Sequence, residues 1–227
     1  MQHKFNRLIK VIGSDNFNFI KKKKVLVLGI GGVGGYVVES LVRSGIENIV
    51  IIDSDIIEES NINRQIIATN KTLGKKKVDV FKKRILDINE NCNIKTIYKY
   101  IDESNINEIF SSDIDYYIDT EDSVKTKCIF IKECLDRKVK FITCLGTGNR
   151  IDPSKLEITD IRKTSNDPLA RKIRKYVNDN KLKGKIPVVY SKELPVKTKD
   201  GVGSTIFVPA SAGLLIGSYV VRNLFKK

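Results

Sequence analysis

The glycine-rich hexapeptide Gly29-Ile30-Gly31-Gly32-Val33-Gly34 overlaps the end of a short apolar run, VLVLGI at residues 25–30, and opens an amphipathic stretch. A strand that ends in closely spaced glycines and gives way to a helix makes a tight turn with free amides at a helix N-terminus. That arrangement offers a positive dipole end and close backbone approach to a phosphate. The apolar run is continuous rather than alternating, which suits a strand buried on both faces of a parallel sheet.

The remaining pattern extends that unit. A helix is predicted from Val33 to about Ser44, and the run Ile49 to Ile52 ends at Asp53. An amphipathic helix carrying Val78, Phe81, Ile85 and Ile88 precedes a strand at 94–100. Strands are predicted at 115–120 and 139–145 with a helix at 124–135 between them. This βαβα order implies an α/β fold, a Rossmann-like, doubly wound and mostly parallel sheet. After Gly146 the pattern is less regular: a strand at 156–161, a basic helix from Pro168, a glycine- and lysine-rich stretch through Gly203, and a helix over 210–224. The expected organisation is a single domain over 1–227. It has a helical arm at 1–22, a nucleotide-binding core at 23–150, and a C-terminal elaboration with its closing helix at 151–227.

Composition removes several chemistries. Cys92, Cys128, Cys134 and Cys144 include no Cys-x-x-Cys pair, which argues against a zinc ribbon or a dithiol redox motif. The single histidine, His3, leaves no material for a Ser-His-Asp triad or a histidine-ligated metal. No apolar run approaches the roughly 20 residues that span a bilayer, and no secretory leader is evident, so a cytoplasmic location is expected. The net charge is +14, with +9 of it from Ile151 onward. An RNA-binding surface and a plain solvated face both account for that excess.

Asp53, at the end of the second strand, is placed to accept hydrogen bonds from ribose hydroxyls. This much does not separate NAD from ATP. The following segment, DSDIIEESNINRQ at 53–65, adds Asp55, Asn61, Arg64 and Gln65, and GKKKV offers Lys77 at a helix start. Hydride transfer gives no reason for such a set, whereas attack on an α-phosphate needs charge neutralised on the departing pyrophosphate. Lys77, flanked by Lys75 and Lys76, also reads as an ordinary surface lysine.

Taken together, GIGGVG, DSDIIEESNINRQ, GKKKV and IDTEDS resemble the ThiF/MoeB/HesA superfamily, bacterial relatives of ubiquitin-activating enzymes. The resemblance implies ATP and Mg²⁺ bound by a homodimer. On matching positions Gly29, Gly31, Gly32 and Gly34 form the nucleotide loop, with Asp53, Asp55 and Gln65 also contacting the nucleotide and Asn61 and Lys77 at the phosphates. Arg64 reaches the ATP of the partner subunit, and Asp122 positions the magnesium, with Asp119 a nearby competitor. Arg64, Lys77 and Asp122 are thus the expected catalytic residues.

Three later segments, GTGNRIDP, KTSNDPLARKIR and GSTIFVPASAGLLIGSYVVRNL, together with the spacing Arg7 to Gly13, are similar to the tRNA threonylcarbamoyladenosine dehydratase branch. This implies adenylation of a threonyl carboxylate on a modified tRNA adenosine, then ring closure by the neighbouring carbamoyl group. Arg162, Lys163, Arg171 and Arg174, with Lys172 and Lys175 beside them, are the expected tRNA contacts, and a sulfur-relay protein is a possible further partner. Some relatives carry a cysteine between positions matching Gly203 and Gly213; none is present here, and Cys144 is the one thiol expected near the site. The competing activity is adenylation of the C-terminal glycine of a ubiquitin-like sulfur carrier.

Overall fold

The structure, a computed structural model, describes residues 4–199 and 201–225; His3 lies outside them. Seven strands form one sheet: β1 (Lys24–Leu28), β2 (Asn48–Asp53), β3 (Asn93–Tyr98), β4 (Tyr116–Asp119), β5 (Phe141–Cys144), β6 (Leu156–Asp160) and β7 (Pro187–Ser191). Their spatial order is β3-β2-β1-β4-β5-β7-β6, parallel except for the antiparallel edge strand β6. The Rossmann-like, doubly wound expectation is met. The order reverses between β1 and β4, and the crevice at such a reversal is where α/β sheets bind ligands.

The helices are α1 (Asn6–Ile12), α2 (Ser14–Ile20), α3 (Gly34–Arg43), α4 (Lys77–Ile88), α5 (Val124–Asp136), α6 (Pro168–Asp179) and α7 (Phe207–Asn223). Each strand of the sheet feeds two cores by alternation. Val25 and Val27, Ile49 and Ile51 pack with Val37 and Leu41 of α3, Phe81 of α4 and Ile216 of α7. Leu26 and Leu28, Val50 and Ile52 pack with Phe130 of α5 and Ile173 of α6 on the other face. Burial on both faces explains why these strands read as unbroken apolar runs.

Two features depart from the sequence expectations. The N-terminal arm is not one helix but two short ones that break at Gly13. The lysine- and glycine-rich stretch after α6 contains β7, whose residues Val188, Val189 and Tyr190 are all buried and which slots between β5 and β6. On the first face α7 lies directly on α3. Side chains at Gly213 and Gly217 would collide with the Val33 carbonyl and the Ser40 hydroxyl, so small residues permit this approach. Among the described residues no helix is long and apolar enough to cross a membrane.

Candidate nucleotide-binding site

At the carboxyl ends of β1, β2, β4 and β5 lies a cleft of about 400 Å³ lined by the glycine turn, Asp53, Asp55, Asn61, Arg64, Gln65, Lys77 and Asp122. The cofactor-site residues predicted from sequence therefore converge, with one difference. Gly34 sits behind the turn, where any Cβ would strike the Gly29 carbonyl and the Thr120 hydroxyl. It shapes the turn from within, while Gly31 and Gly32 form the surface a ligand meets. Gly29, at φ +79°, adopts the backbone conformation that favours glycine. Its carbonyl accepts a 2.5 Å hydrogen bond from Thr120 Oγ1, tying the turn to the end of β4.

Asp53 is 5% exposed and accepts from the Ile30 N–H at 2.8 Å through Oδ2 and from the Asp55 N–H at 2.8 Å through Oδ1. Each oxygen retains a lone pair for a ribose hydroxyl. Burial lifts this carboxyl above the ordinary aspartate range, opposed by Lys77 and the two N–H groups.

Lys77 is brought in by backbone pairing: Ile57 N–H donates to Lys75 O at 2.9 Å, and Lys77 N–H to Asp55 O at 3.1 Å. The side chain is 5% exposed and its Nζ stands 2.6 Å from Asp55 Oδ2 and 3.9 Å from Asp53 Oδ1. The surface-lysine reading is thereby excluded. A short 3₁₀ turn, Glu59–Asn61, is closed by a capping box between Glu58 and Asn61 and delivers Asn61 to the cleft wall. Arg64 lines the cleft of its own chain, its Nη1 donating to Ser60 O at 2.7 Å and Asn63 Oδ1 at 3.0 Å. Gln65 is 6% exposed, and its Oε1 is buried with no hydrogen-bond partner. An unsatisfied amide oxygen in a cleft wall is costly unless a ligand completes it.

The acidic turn after β4 separates the two magnesium candidates. Asp119 is fully buried, 2.9 Å from the equally buried Lys127 Nζ, and it also accepts from the Thr143 hydroxyl and, at 3.0 Å, from the Glu121 N–H. Asp122 faces the cleft and its carboxylate carries no hydrogen bond or ion pair among the described residues. Mg²⁺ is commonly held by one or two carboxylates together with substrate phosphates, so an open carboxylate beside the glycine turn suits it. The described residues hold no cluster of three or more His, Cys, Asp or Glu that would bind a metal without such phosphates.

Glu121 escaped the sequence reading. It lines the cleft, and burial, then the neighbouring Asp119 and Asp53, push its carboxyl up to about 7. Its position between two aspartates was the available signal. Thr147 and Ser204 also line the cleft and were not anticipated. Cys144 is buried, and burial raises its thiol to about 12, so it is held as an inert thiol.

The expected tRNA residues divide. Arg162 donates to Gly184 O and Leu182 O, each at 2.9 Å, and pairs with Asp160, pinning loops together. Asp160 pairs with Pro187 at the start of β7. Arg162 and Lys163 thus lie at the amino edge of the sheet, opposite the cleft. Arg174 donates to Thr164 O at 2.9 Å. Arg171 stands exposed on α6 with Lys172 and Lys175.

Comparison with known proteins agrees with this geometry. The ThiF family model matches residues 5–153. This chain belongs to the ThiF family. A tRNA threonylcarbamoyladenosine dehydratase from Bacillus subtilis (strain 168) is 35% identical over 244 residues, covering 100% of this ThiF-family chain and 96% of that protein. The crystal structure of E. coli tRNA N6-threonylcarbamoyladenosine dehydratase in complex with AMP superimposes with a TM-score of 0.93 at 33% identity, over 97% of this chain and 93% of that one. The same E. coli enzyme in complex with ATP gives 0.92 at 32% identity, with the same coverage. The ThiF-family fold therefore extends beyond the matched core, through α6, β7 and α7.

Proposed function

We propose that this ThiF-family protein is an ATP-dependent dehydratase that adenylates the threonyl carboxylate of threonylcarbamoyladenosine in tRNA and cyclises it, releasing AMP and pyrophosphate. The observation that carries the reading is the assembly of Lys77, Asn61, Arg64 and Gln65 around the glycine turn and Asp53. The chain in which they stand is similar over its whole length to such dehydratases.

Asp53 holds the ribose, and the amides of the Gly29–Gly32 turn, at the start of α3, receive the phosphates. Lys77, positioned by Asp55, and the Asn61 amide neutralise and orient the phosphates as negative charge moves to pyrophosphate. The open Gln65 Oε1 accepts from the ligand. Arg64 adds a cation at the mouth of the cleft, serving its own chain or, in a homodimer, the partner's nucleotide. Asp122 holds Mg²⁺, which screens the phosphate charge. The activated acyl group then meets a carbamoyl nitrogen of the same side chain. Its effective concentration is high, so no enzyme nucleophile is needed, in keeping with the burial of all four thiols.

The exposed Arg171, Lys172 and Lys175 on α6 form the tRNA-facing surface. A homodimer in the cytoplasm completes the proposal, with a sulfur-relay protein as a further partner. The exposed apolar side chains Ile62, Ile206 and Phe207, close in sequence to Arg64 and Ser204, support the dimer.

The decisive experiment is mass spectrometry of tRNA bearing threonylcarbamoyladenosine after incubation with protein, ATP and Mg²⁺, following AMP in parallel. ATP-dependent loss of one water from the nucleoside is expected. An unchanged nucleoside, with pyrophosphate exchange supported by a carrier protein ending in Gly-Gly, refutes it.

A further inference from the structure

Along the carboxyl edge of the sheet, strand order sets the order of groups in the cleft. Tyr100 follows β3, Asp53 ends β2, the glycine turn follows β1, Glu121 and Asp122 follow β4, and Thr147 follows β5. A nucleotide whose ribose is held by Asp53 and whose phosphates are held by the glycine turn fills the β2 and β1 portion. The carboxylate to be activated has to approach the α-phosphate from the remaining end, beyond Asp122.

That end is built from two loops held together. Asn149 N–H donates to Gly203 O at 2.8 Å and Asn149 O accepts from Val196 N–H at 2.7 Å. Thr205 Oγ1 donates to Arg150 O at 3.3 Å, and Asn63 Nδ2 donates to Ser204 O at 2.9 Å. Beneath them Arg150, 3% exposed, donates to Glu193 O at 3.1 Å and to Gly146 O, and pairs with the buried Asp167 at 3.3 Å. The result is a fixed wall that presents Thr147 and Ser204 to the cleft, one from each loop. The Thr147 hydroxyl makes no hydrogen bond among the described residues, and that of Ser204 has only a 3.2 Å contact to the next carbonyl. With Pro209 they give this end an uncharged lining beside the acidic turn.

We infer that Thr147 and Ser204 form the acyl-substrate subsite, hydrogen-bonding the polar groups that flank the reacting carboxylate. On the function proposed above, on which this inference rests, those groups are the threonyl hydroxyl and the carbamoyl unit. Neutral hydroxyls suit them, since each donates and accepts, and neither competes with Asp122 or Lys77 for charge. The subsite thereby distinguishes the modified adenosine from an unmodified one.

The test uses the full chain with Thr147→Val and Ser204→Ala, tRNA bearing threonylcarbamoyladenosine, and the same tRNA unmodified. Each lost hydrogen bond is expected to lower kcat/KM about tenfold. The preference of the protein for modified over unmodified tRNA should shrink by a similar factor, with the Kd for ATP unchanged. Thr147→Ser, which keeps the hydroxyl, should stay within about twofold of the wild type. Variants that retain wild-type kcat/KM and tRNA preference overturn the subsite. So does an equal loss of ATP affinity, which would make these residues part of the nucleotide site. A wild-type protein inert towards modified tRNA overturns the functional reading itself, and with it the substrate assigned here.

Discussion

Replacing Lys127 by methionine removes one partner of the most deeply buried ion pair in the fold. Lys127 and Asp119 are 1% and 0% exposed, and the lysine Nζ lies 2.9 Å from Asp119 Oδ2 and 3.3 Å from Thr143 Oγ1. Methionine fills much of the same volume, so the perturbation is electrostatic rather than a cavity. Breaking a buried pair costs about 3–5 kcal/mol because one charge is left without compensation. Here the stranded carboxylate keeps the Glu121 N–H and the Thr143 hydroxyl as donors, which places the expected loss near the lower figure, about 3 kcal/mol. For a chain of this size that corresponds to a fall in Tm of roughly 6–12 °C. Urea unfolding followed by far-UV circular dichroism measures it directly, since the chain has no tryptophan to report by fluorescence. A second variant, Lys127→Met with Asp119→Asn, removes the charge and should recover at least half of the loss. A single variant within about 1 kcal/mol of the wild type, or a double variant no better than the single, refutes the reasoning.

Other consequences are equally open to measurement. The Glu121 carboxyl sits at about 7 in the folded protein, above its usual value of 4.5. Folding therefore binds a proton there, and the group costs nothing below pH 4.5 but destabilises increasingly as pH rises through 7. Glu121→Gln should match the wild type near pH 4.5 and exceed it by up to about 3 kcal/mol at pH 8.5 in the absence of nucleotide; equal stability across that range would refute the assignment. Gly34→Ala should lower Tm and abolish the thermal shift given by ATP, because the new methyl group collides with the Gly29 carbonyl inside the turn. Arg64→Ala and Lys77→Ala should each abolish turnover with an unchanged circular dichroism spectrum, and full activity in either would remove that residue from the site. All four cysteines are buried and the Cys144 thiol is raised to about 12. A thiol reagent at pH 8 should label none in the native protein and all four in urea, and Cys144→Ala should keep full activity.

The core of the fold could be read from the chain because its strands are local, unmixed apolar runs that alternate with amphipathic helices. β1, α3, β2 and α5 fall within two or three residues of their expected bounds. β7 was hidden because only five residues of it are buried, after lysine-rich chain, and its place between β5 and β6 depends on contacts distant in sequence. The break at Gly13 turns on one backbone angle. In the cleft, Asp53, Asn61, Arg64, Gln65 and Lys77 were legible since their spacing survives folding into adjoining loops. Glu121 was not, because its unusual acidity arises from crowding by Asp53 and Asp119, which neighbouring letters do not express. Arg162 was misjudged for the converse reason: a basic residue within a basic segment turned out to be occupied by the carbonyls of Leu182 and Gly184.

The contact between α3 and α7 also bears on when the molecule becomes competent. The helix that opens at the glycine turn is complete by Arg43, yet the surface that clamps it is not made until residues 207–223. Contacts so distant in sequence close late in folding. A ribosome stalled before α7 would thus display the glycine turn, Asp53 and Lys77 on a nascent chain with no firm grip on ATP, and the ability to bind nucleotide becomes a mark of a finished molecule.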